Sequence, residues 1–233
     1  MMRLDKFLCE TGKCTRSQAR DWIRQGMVTV DEQTVRSPET RIREDEDLVC
    51  LQGRSLAYRK YVYYMLNKPR GVVSATADNR DKTVVELLGE NMRPDIFPAG
   101  RLDKDTEGFL LLTNDGPLAH RLLAPGRHVD KTYMVTMEHA LTREESGLLE
   151  TGVEIGEKRP ARAAGIQTID ETHILLTLQE GKFHQVKRML QAVNNRVLAL
   201  KRVSFGGIIL DERLKPGEYR ELTEAEVKIL YDA

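Results

Sequence analysis

The sequence has little that would staple or anchor it. Only three of its 233 residues are cysteines, Cys9, Cys14 and Cys50. An odd number without a Cys-x-x-Cys spacing argues against a disulfide framework and fits a reduced, cytoplasmic setting. The longest strongly apolar run, Phe109-Leu110-Leu111-Leu112, falls far short of the ~20 residues that cross a bilayer. The opening Met1-Met2-Arg3-Leu4-Asp5-Lys6 has no apolar core of a secretory signal, so no export and no membrane partner are expected. The five histidines, His120, His128, His139, His173 and His184, show no metal-ligand spacing, and no metal is expected. Net charge is also missing: 36 Lys+Arg balance 36 Asp+Glu. Taken whole, that excludes a polycation that coats any nucleic acid. What is present is 40% hydrophobic residues and a mean hydropathy of −0.45, the mark of a globular chain long enough to bury a core unaided. The length suits one large domain or two unequal ones.

The charge balance hides a pattern. Residues 1–24 carry six basic residues against three acidic, and residues 25–53 carry three against seven. Residues 180–202 carry six basic residues against Glu180 alone, and residues 205–233 carry four against seven. Two basic segments are masked by two acidic ones. A basic segment is the footprint of a phosphate-backbone contact, and equally of an ordinary solvated face.

The first part of the chain reads as a small unit. Leu4, Phe7 and Leu8 fall at helical spacing, with Gly12 placed to end that helix. Thr15-Arg16-Ser17-Gln18 is a capping box opening a second helix with Ala19, Trp22 and Ile23 on its apolar face. Val28 and Val30 alternate as a strand, Asp31-Glu32-Gln33 turns, and Leu48 to Leu51 closes the unit as a strand. The expected boundaries are a domain at 1–55, a linker at 56–60, and a larger domain at 61–233. In the latter, strands are expected at Tyr61 to Asn67, Phe109 to Thr113, Lys131 to Met137 and Ile174 to Leu178. Thr83, Thr142 and Thr223, each followed three residues later by glutamate, are expected to cap helices, and His184 to Ala192 reads as a basic helix. Asn114-Asp115-Gly116 reads as a turn. Hairpin turns separate the strands as often as helices do, which favours an antiparallel-rich α+β domain.

Arginines 16, 20 and 24 recur at helical spacing and form one ridge. The run Arg3-Leu4-Asp5-Lys6-Phe7-Leu8, then Thr15-Arg16-Ser17-Gln18-Ala19-Arg20, then Gly26-x-Val28-x-Val30-Asp31 resembles the S4 RNA-binding domain. It departs at Glu32, where that family usually has glycine. The resemblance implies RNA contacts from Arg3, Lys6, Arg16, Ser17 and Arg20.

The segment Gly100-Arg101-Leu102-Asp103-Lys104-Asp105-Thr106-Glu107-Gly108 is dense in reactive residue types. Its bland reading is a polar loop with an ion pair; its functional reading is an ionised carboxylate, Asp103, kept so by cations nearby. Gly-Arg-Leu-Asp-x-x-Thr-x-Gly resembles the catalytic motif of pseudouridine synthases. Leu66-Asn67-Lys68-Pro69-x-Gly71, Lys131-Thr132-Tyr133 and Gly181-Lys182-x-His184-Gln185-Val186-Lys187-Arg188-Met189 are similar to that family's other motifs. With the S4-like unit in front, the chain from Arg3 to about Glu226 resembles the ribosomal small subunit pseudouridine synthase A family.

The resemblance implies an isomerase that converts a uridine of 16S ribosomal RNA to pseudouridine, without a cofactor. Asp103 acts at the ribose, either by adding to it or by assisting elimination. Lys187 is the basic partner of Asp103, and Tyr133 serves the base by stacking or proton removal. Arg101, Lys182 and Arg188 are expected as a basic rim for flanking phosphates. Bland readings stand beside these: Tyr133 as a core aromatic, Lys187 and Arg188 as an exposed helix face, His184 and Gln185 as a helix cap. The expected setting is a cytoplasmic monomer acting on an assembly intermediate. The rivals are the same chemistry on large-subunit or transfer RNA, a non-catalytic RNA-binding assembly factor, and a glycosidase pairing Asp103 with Asp105 or Glu107.

Overall fold

The structure, a computed structural model, describes every residue except Gly12, Lys13, Ala57 and Met92, and the backbone alone of Glu90, Asn91 and Pro125. The helix end expected at Gly12 lies outside the described residues. The chain divides into two compact units: Met1–Val62 together with Leu88–Ile96, and Tyr63–Leu87 together with Phe97–Ala233.

In the first unit, β1 (Met2–Arg3) leads into α1 (Leu4–Glu10) and α2 (Arg16–Arg24), followed by β2 (Val28–Val30), β3 (Gln33–Thr34), β4 (Arg41–Ile42), β5 (Val49–Leu51) and β6 (Arg54–Ser55). Helices this short gain their stability from packing. Leu4, Phe7, Leu8, Ala19 and Ile23 bury against Val28, Ile42 and Val49, each fully buried Leu, Ile, Val or Phe side chain contributing about 1.5–3 kcal/mol. The Thr15–Gln18 capping box forms as read. The turn without glycine also forms: Asp31 and Glu32 both take the left-handed conformation, at φ 47° and 66°. Asp31 Oδ1 accepts the Leu48 N–H at 2.9 Å, which ties that turn down.

The expected linker at 56–60 falls inside the first unit, directly after a hairpin strand. Arg54–Ser55 pairs with β5 as a hairpin strand. Beyond it, Leu56 and Tyr58 pack on the helical core. Tyr58 donates to Glu10 Oε2 at 2.9 Å, and its ring centroid lies 5.2 Å from that of Phe7.

The second unit contains β7 (Tyr63–Lys68), β8 (Phe97–Pro98), β9 (Glu107–Thr113), α3 (Gly116–Leu123), β10 (Lys131–Met137), α4 (Arg143–Thr151), β11 (Gly165–Thr168), β12 (His173–Leu178), α5 (Gln185–Ala192), β13 (Val197–Phe205), β14 (Ile208–Ile209), β15 (Tyr219–Glu221) and α6 (Glu224–Asp232). One sheet runs β11-β12-β10-β13-β9-β7-β15, with β14 on β13 and β8 on β9. Among the described residues its one parallel strand pairing joins β9 to β13, so the sheet is antiparallel-rich, as the sequence implies. Capping boxes at Thr142 and Thr223 open α4 and α6.

Two expectations change in detail, and one strand adds to them. Thr83 and Glu86 exchange hydrogen bonds, but they open a 3-10 segment interrupted by Gly89 rather than an α-helix. Asn114-Asp115-Gly116 is more than a turn: Asp115 caps α3 by accepting the Leu118 N–H at 3.0 Å. Its other carboxylate oxygen takes the hydroxyls of Tyr63 and Tyr231. Strand β13, unread in the sequence, lies between β10 and β9.

Candidate active site

The loop from Gly100 to Thr106 enters β9 and is held from below by the chain after β7. Lys68 closes that strand with its side chain fully buried. Its ammonium donates to the carbonyls of Pro69, Asp103 and Thr106 at 3.1, 3.1 and 2.9 Å, and to that of Lys104 at 3.4 Å. Burial pushes its pKa down to about 8, against the upward pull of Asp105, Asp103 and Glu107. Gly71 N–H donates to Lys104 O at 2.8 Å. Ser74 Oγ both donates to Leu102 O and accepts Leu102 N–H, at 2.9 and 3.0 Å. The Leu66 to Gly71 motif therefore shapes the backbone on which Asp103 stands. The sequence displays Lys68 in that motif, but nothing in the spacing reveals that its amine is a buried clasp.

Asp103 lines a cleft with Arg101, Thr106, Tyr133, Lys187 and Leu200. The carboxylate is 28% exposed, and Lys187 Nζ lies 3.3 Å from its Oδ2. His184 Nε2 lies 3.7 Å from its Oδ1. The expected pairing thus forms from residues far apart in sequence. The sequence-adjacent cations do not supply it: Lys104 pairs with Asp81 at 2.7 Å, and Arg101 is exposed. Tyr133 is buried on β10 at the cleft wall, opposite Leu176 and Arg202.

Lys187 is also bound by Asp105, donating to its two oxygens at 2.7 and 2.9 Å. That hydrogen bond holds the Asp105 carboxyl below the usual carboxylate range. A glycosidase needs one carboxyl raised to act as general acid. Asp105 is driven the other way, which counts against that rival.

The expected basic rim is partly committed elsewhere. Lys182 donates to Arg159 O at 3.0 Å and pairs with Glu180 at 3.2 Å. Arg188 donates to Glu157, to the carbonyl of Phe183 and to that of Ile155. Both are bound to neighbouring loops rather than projecting freely. His184 sits at the start of α5 in the left-handed conformation and makes no side-chain cap. Gln185 does the local work: its Oε1 accepts Lys182 N–H at 2.9 Å and its Nε2 donates to Glu180 at 2.7 Å. Among the described residues, no group of three His, Cys, Asp or Glu could hold a metal, and no helix is long and apolar enough to cross a membrane.

In the first unit, Arg3, Arg16 and Arg20 converge on one buried carboxylate, Asp5. Arg3 binds it through two nitrogens at 3.0 Å. Arg20 Nε lies 3.2 Å and Arg16 Nε 3.5 Å from Oδ2. Burial would raise the Asp5 pKa; the hydrogen bonds of Arg3 and Arg20 outweigh it and bring it down to about 2. Lys6 pairs with Glu10 at 3.4 Å, and Ser17 is exposed. The sequence shows the arginine ridge, while Asp5 passes as one more surface acid until the helices are packed.

Comparison with known proteins agrees with these motifs. The RNA pseudouridylate synthase family profile matches residues 62–192, and the S4 domain profile matches residues 2–48. An uncharacterized RNA pseudouridine synthase of Bacillus subtilis is 50% identical over 234 residues, covering 98% of both chains. The ribosomal small subunit pseudouridine synthase A of Escherichia coli K12 is 42% identical over 97% of this chain and 98% of its own. That of Vibrio cholerae is 42% identical over 99% and 100%. A crystal structure of a pseudouridylate synthase, 38% identical, superposes with a TM-score of 0.70 over 99% of this chain and 100% of its own.

Proposed function

The chain belongs to the RNA pseudouridylate synthase family, and from that premise we propose that it isomerises a uridine of small-subunit ribosomal RNA with Asp103 as the reacting carboxylate. The observation that carries this reading is the Asp103–Lys187 pair, 3.3 Å apart in a cleft walled by Tyr133. The small-subunit target is supported by the names of the relatives from Escherichia coli and Vibrio cholerae.

The reaction breaks the N1–C1′ bond of uridine, turns the uracil, and joins C5 to C1′. Atoms and electrons balance within the nucleotide, apart from the C5 proton, which leaves as N1 gains one. Asp103 acts at C1′, where positive charge develops as the bond to N1 weakens. The Lys187 ammonium, 3.3 Å from that carboxylate, offsets part of the cost of holding its charge in a partly enclosed cleft. Tyr133 presents a flat face to the freed uracil and a hydroxyl toward C5. The target base leaves its stack to enter. Arg3, Arg16 and Arg20, fixed on Asp5, hold phosphates of a structured RNA segment. The natural substrate is an assembly intermediate, since a finished subunit can bury the site.

The test is to incubate the protein with unmodified small-subunit ribosomal RNA and map pseudouridines nucleotide by nucleotide. One new pseudouridine in that RNA is expected. Product only on large-subunit or transfer RNA would overturn the target. Arg16→Ala with Arg20→Ala is expected to weaken RNA binding and lower its salt slope by about 1–2.

A further inference from the structure

We propose that the exposed ring of Phe183, backed by His184, is a stacking platform for the RNA base adjoining the target uridine. The inference rests on the reading of the Asp103 cleft as the site of uridine isomerisation. Phe183 is 73% exposed, and one face of its ring lies on the His184 imidazole, with centroids 3.8 Å apart and planes 18° from parallel. Exposed hydrophobic residues scattered singly are ordinary. Three features set this one apart.

The first is position. The imidazole beneath the ring reaches to 3.7 Å from Asp103, and the residues on both sides of Phe183 line the cleft. The outer face of the ring is therefore one stacking layer away from a group at the reacting carboxylate. The second is rigidity. Arg188 Nη1 holds the Phe183 carbonyl at 3.0 Å, and Gln185 holds the Lys182 N–H at 2.9 Å. His184 stands at φ 50° and ψ 35°, a conformation uncommon outside glycine and concentrated at functional sites. The ring is presented on a fixed backbone, so a ligand meets a preorganised surface. The third is charge. Residues 180–202 carry six basic residues against one acidic, a field that draws a phosphate chain.

Base flipping supplies the occupant. When the target uridine leaves the helix or loop, its neighbour loses a stacking partner. An aromatic face at the mouth of the cleft restores that contact at little entropic cost and with tolerance for base identity. An apolar peptide would need a broader contiguous patch than a single ring.

The experiment uses the full chain and a ribosomal RNA fragment spanning the nucleotide modified by the wild-type protein. 2-Aminopurine is placed immediately 5′ or 3′ of that uridine. Stacking on Phe183 is expected to quench its fluorescence at one of the two positions. Phe183→Ala is expected to abolish the quench and to raise KM about 10- to 100-fold, with most of the loss in KM rather than kcat. Phe183→Trp is expected to retain both the quench and the low KM, while Phe183→Leu, apolar but without a π face, behaves as the alanine variant. Unchanged KM and quench in Phe183→Ala, or full rescue by leucine, overturns the platform while the catalytic reading stands. Wild-type protein that forms no pseudouridine on any ribosomal RNA overturns both.

Discussion

The ammonium of Lys187 rests on both oxygens of Asp105, at 2.7 and 2.9 Å, nearer than it stands to Asp103. One cation thus serves two carboxylates, with Asp103 at 3.3 Å. Coulomb energy falls with distance, so the closer carboxylate takes the larger share and leaves Asp103 less neutralised. Asp103 thereby keeps charge available to act at C1′, while the ammonium still offsets the cost of holding that charge in the cleft.

Asp103→Asn keeps the shape of the loop but removes the charge and the nucleophile. Pseudouridine formation, followed by tritium release from uridine labelled at C5, is expected to fall by at least about 10³-fold. RNA affinity and the thermal transition should stay near wild type.

Lys187→Met leaves Asp103 and Asp105 facing each other without their shared cation. A drop in kcat of about 10²-fold is expected, because the charge of Asp103 then has no compensating cation in the cleft. Asp105→Asn is expected to act more mildly, changing kcat by about 3- to 10-fold, because Lys187 can then settle fully on Asp103. A loss in Asp105→Asn as deep as in Lys187→Met would refute the shared-cation account.

Lys68→Met removes the buried clasp under the catalytic loop while keeping its volume. The carbonyls of Asp103 and Thr106 then lose a donor inside the protein. A destabilisation of roughly 3 kcal/mol is expected from urea unfolding, together with a fall in kcat through misplacement of Asp103.

The Asp5 carboxyl has a folded pKa near 2, below its ordinary 3.8. A depressed acid stabilises the fold above its unfolded pKa and loses that contribution as pH falls through its folded one. The difference corresponds to about 2 kcal/mol at neutral pH. The wild-type stability contributed by Asp5 should therefore hold above about pH 4 and decline toward pH 2. In Asp5→Asn that acid dependence should shrink, and RNA affinity should fall as the three arginines lose their common anchor. Urea unfolding from pH 6 to 2.5 and RNA titrations at pH 7 read the two effects.

Gly108 has φ +101° where β9 runs beside β13, and a Cβ there would overlap the Arg202 carbonyl oxygen and come within 2.8 Å of Arg202 N. Both the positive φ and the backbone contact exclude a side chain. Gly108→Ala is expected to cost about 3 kcal/mol and to disturb the parallel pairing that carries the catalytic loop. An unchanged melting temperature would contradict that packing.

Local signals were legible wherever the physics is local. Thr15, Thr142 and Thr223 form capping boxes because the partners lie three residues away, and β10 matches its alternation from Lys131 to Met137. Strand β13 escaped because Lys201 and Arg202 break its apolar pattern. In the fold, Arg202 is buried by donating to Phe109 O at 2.7 Å and lying 5.0 Å from the Phe205 ring centroid. Helix α3 escaped because its cap, Asp115, also reads as a turn residue.

The sequence alone determined the two-part organisation, the antiparallel-rich α+β class and the family, since motif composition and periodicity are properties of short stretches. It also singled out Asp103, Tyr133 and Lys187 as candidates through that family resemblance. Only the tertiary structure decided which charges meet. Arg101 and Lys104, beside Asp103 in sequence, do not pair with it, whereas Lys187, 84 positions away, does. Arg188 and Lys182, read as phosphate ligands, are bound to neighbouring loops. Charge pairing depends on distance in space and on the acceptors each side chain finds there, and those are set by how strands and helices far apart in the chain are packed together.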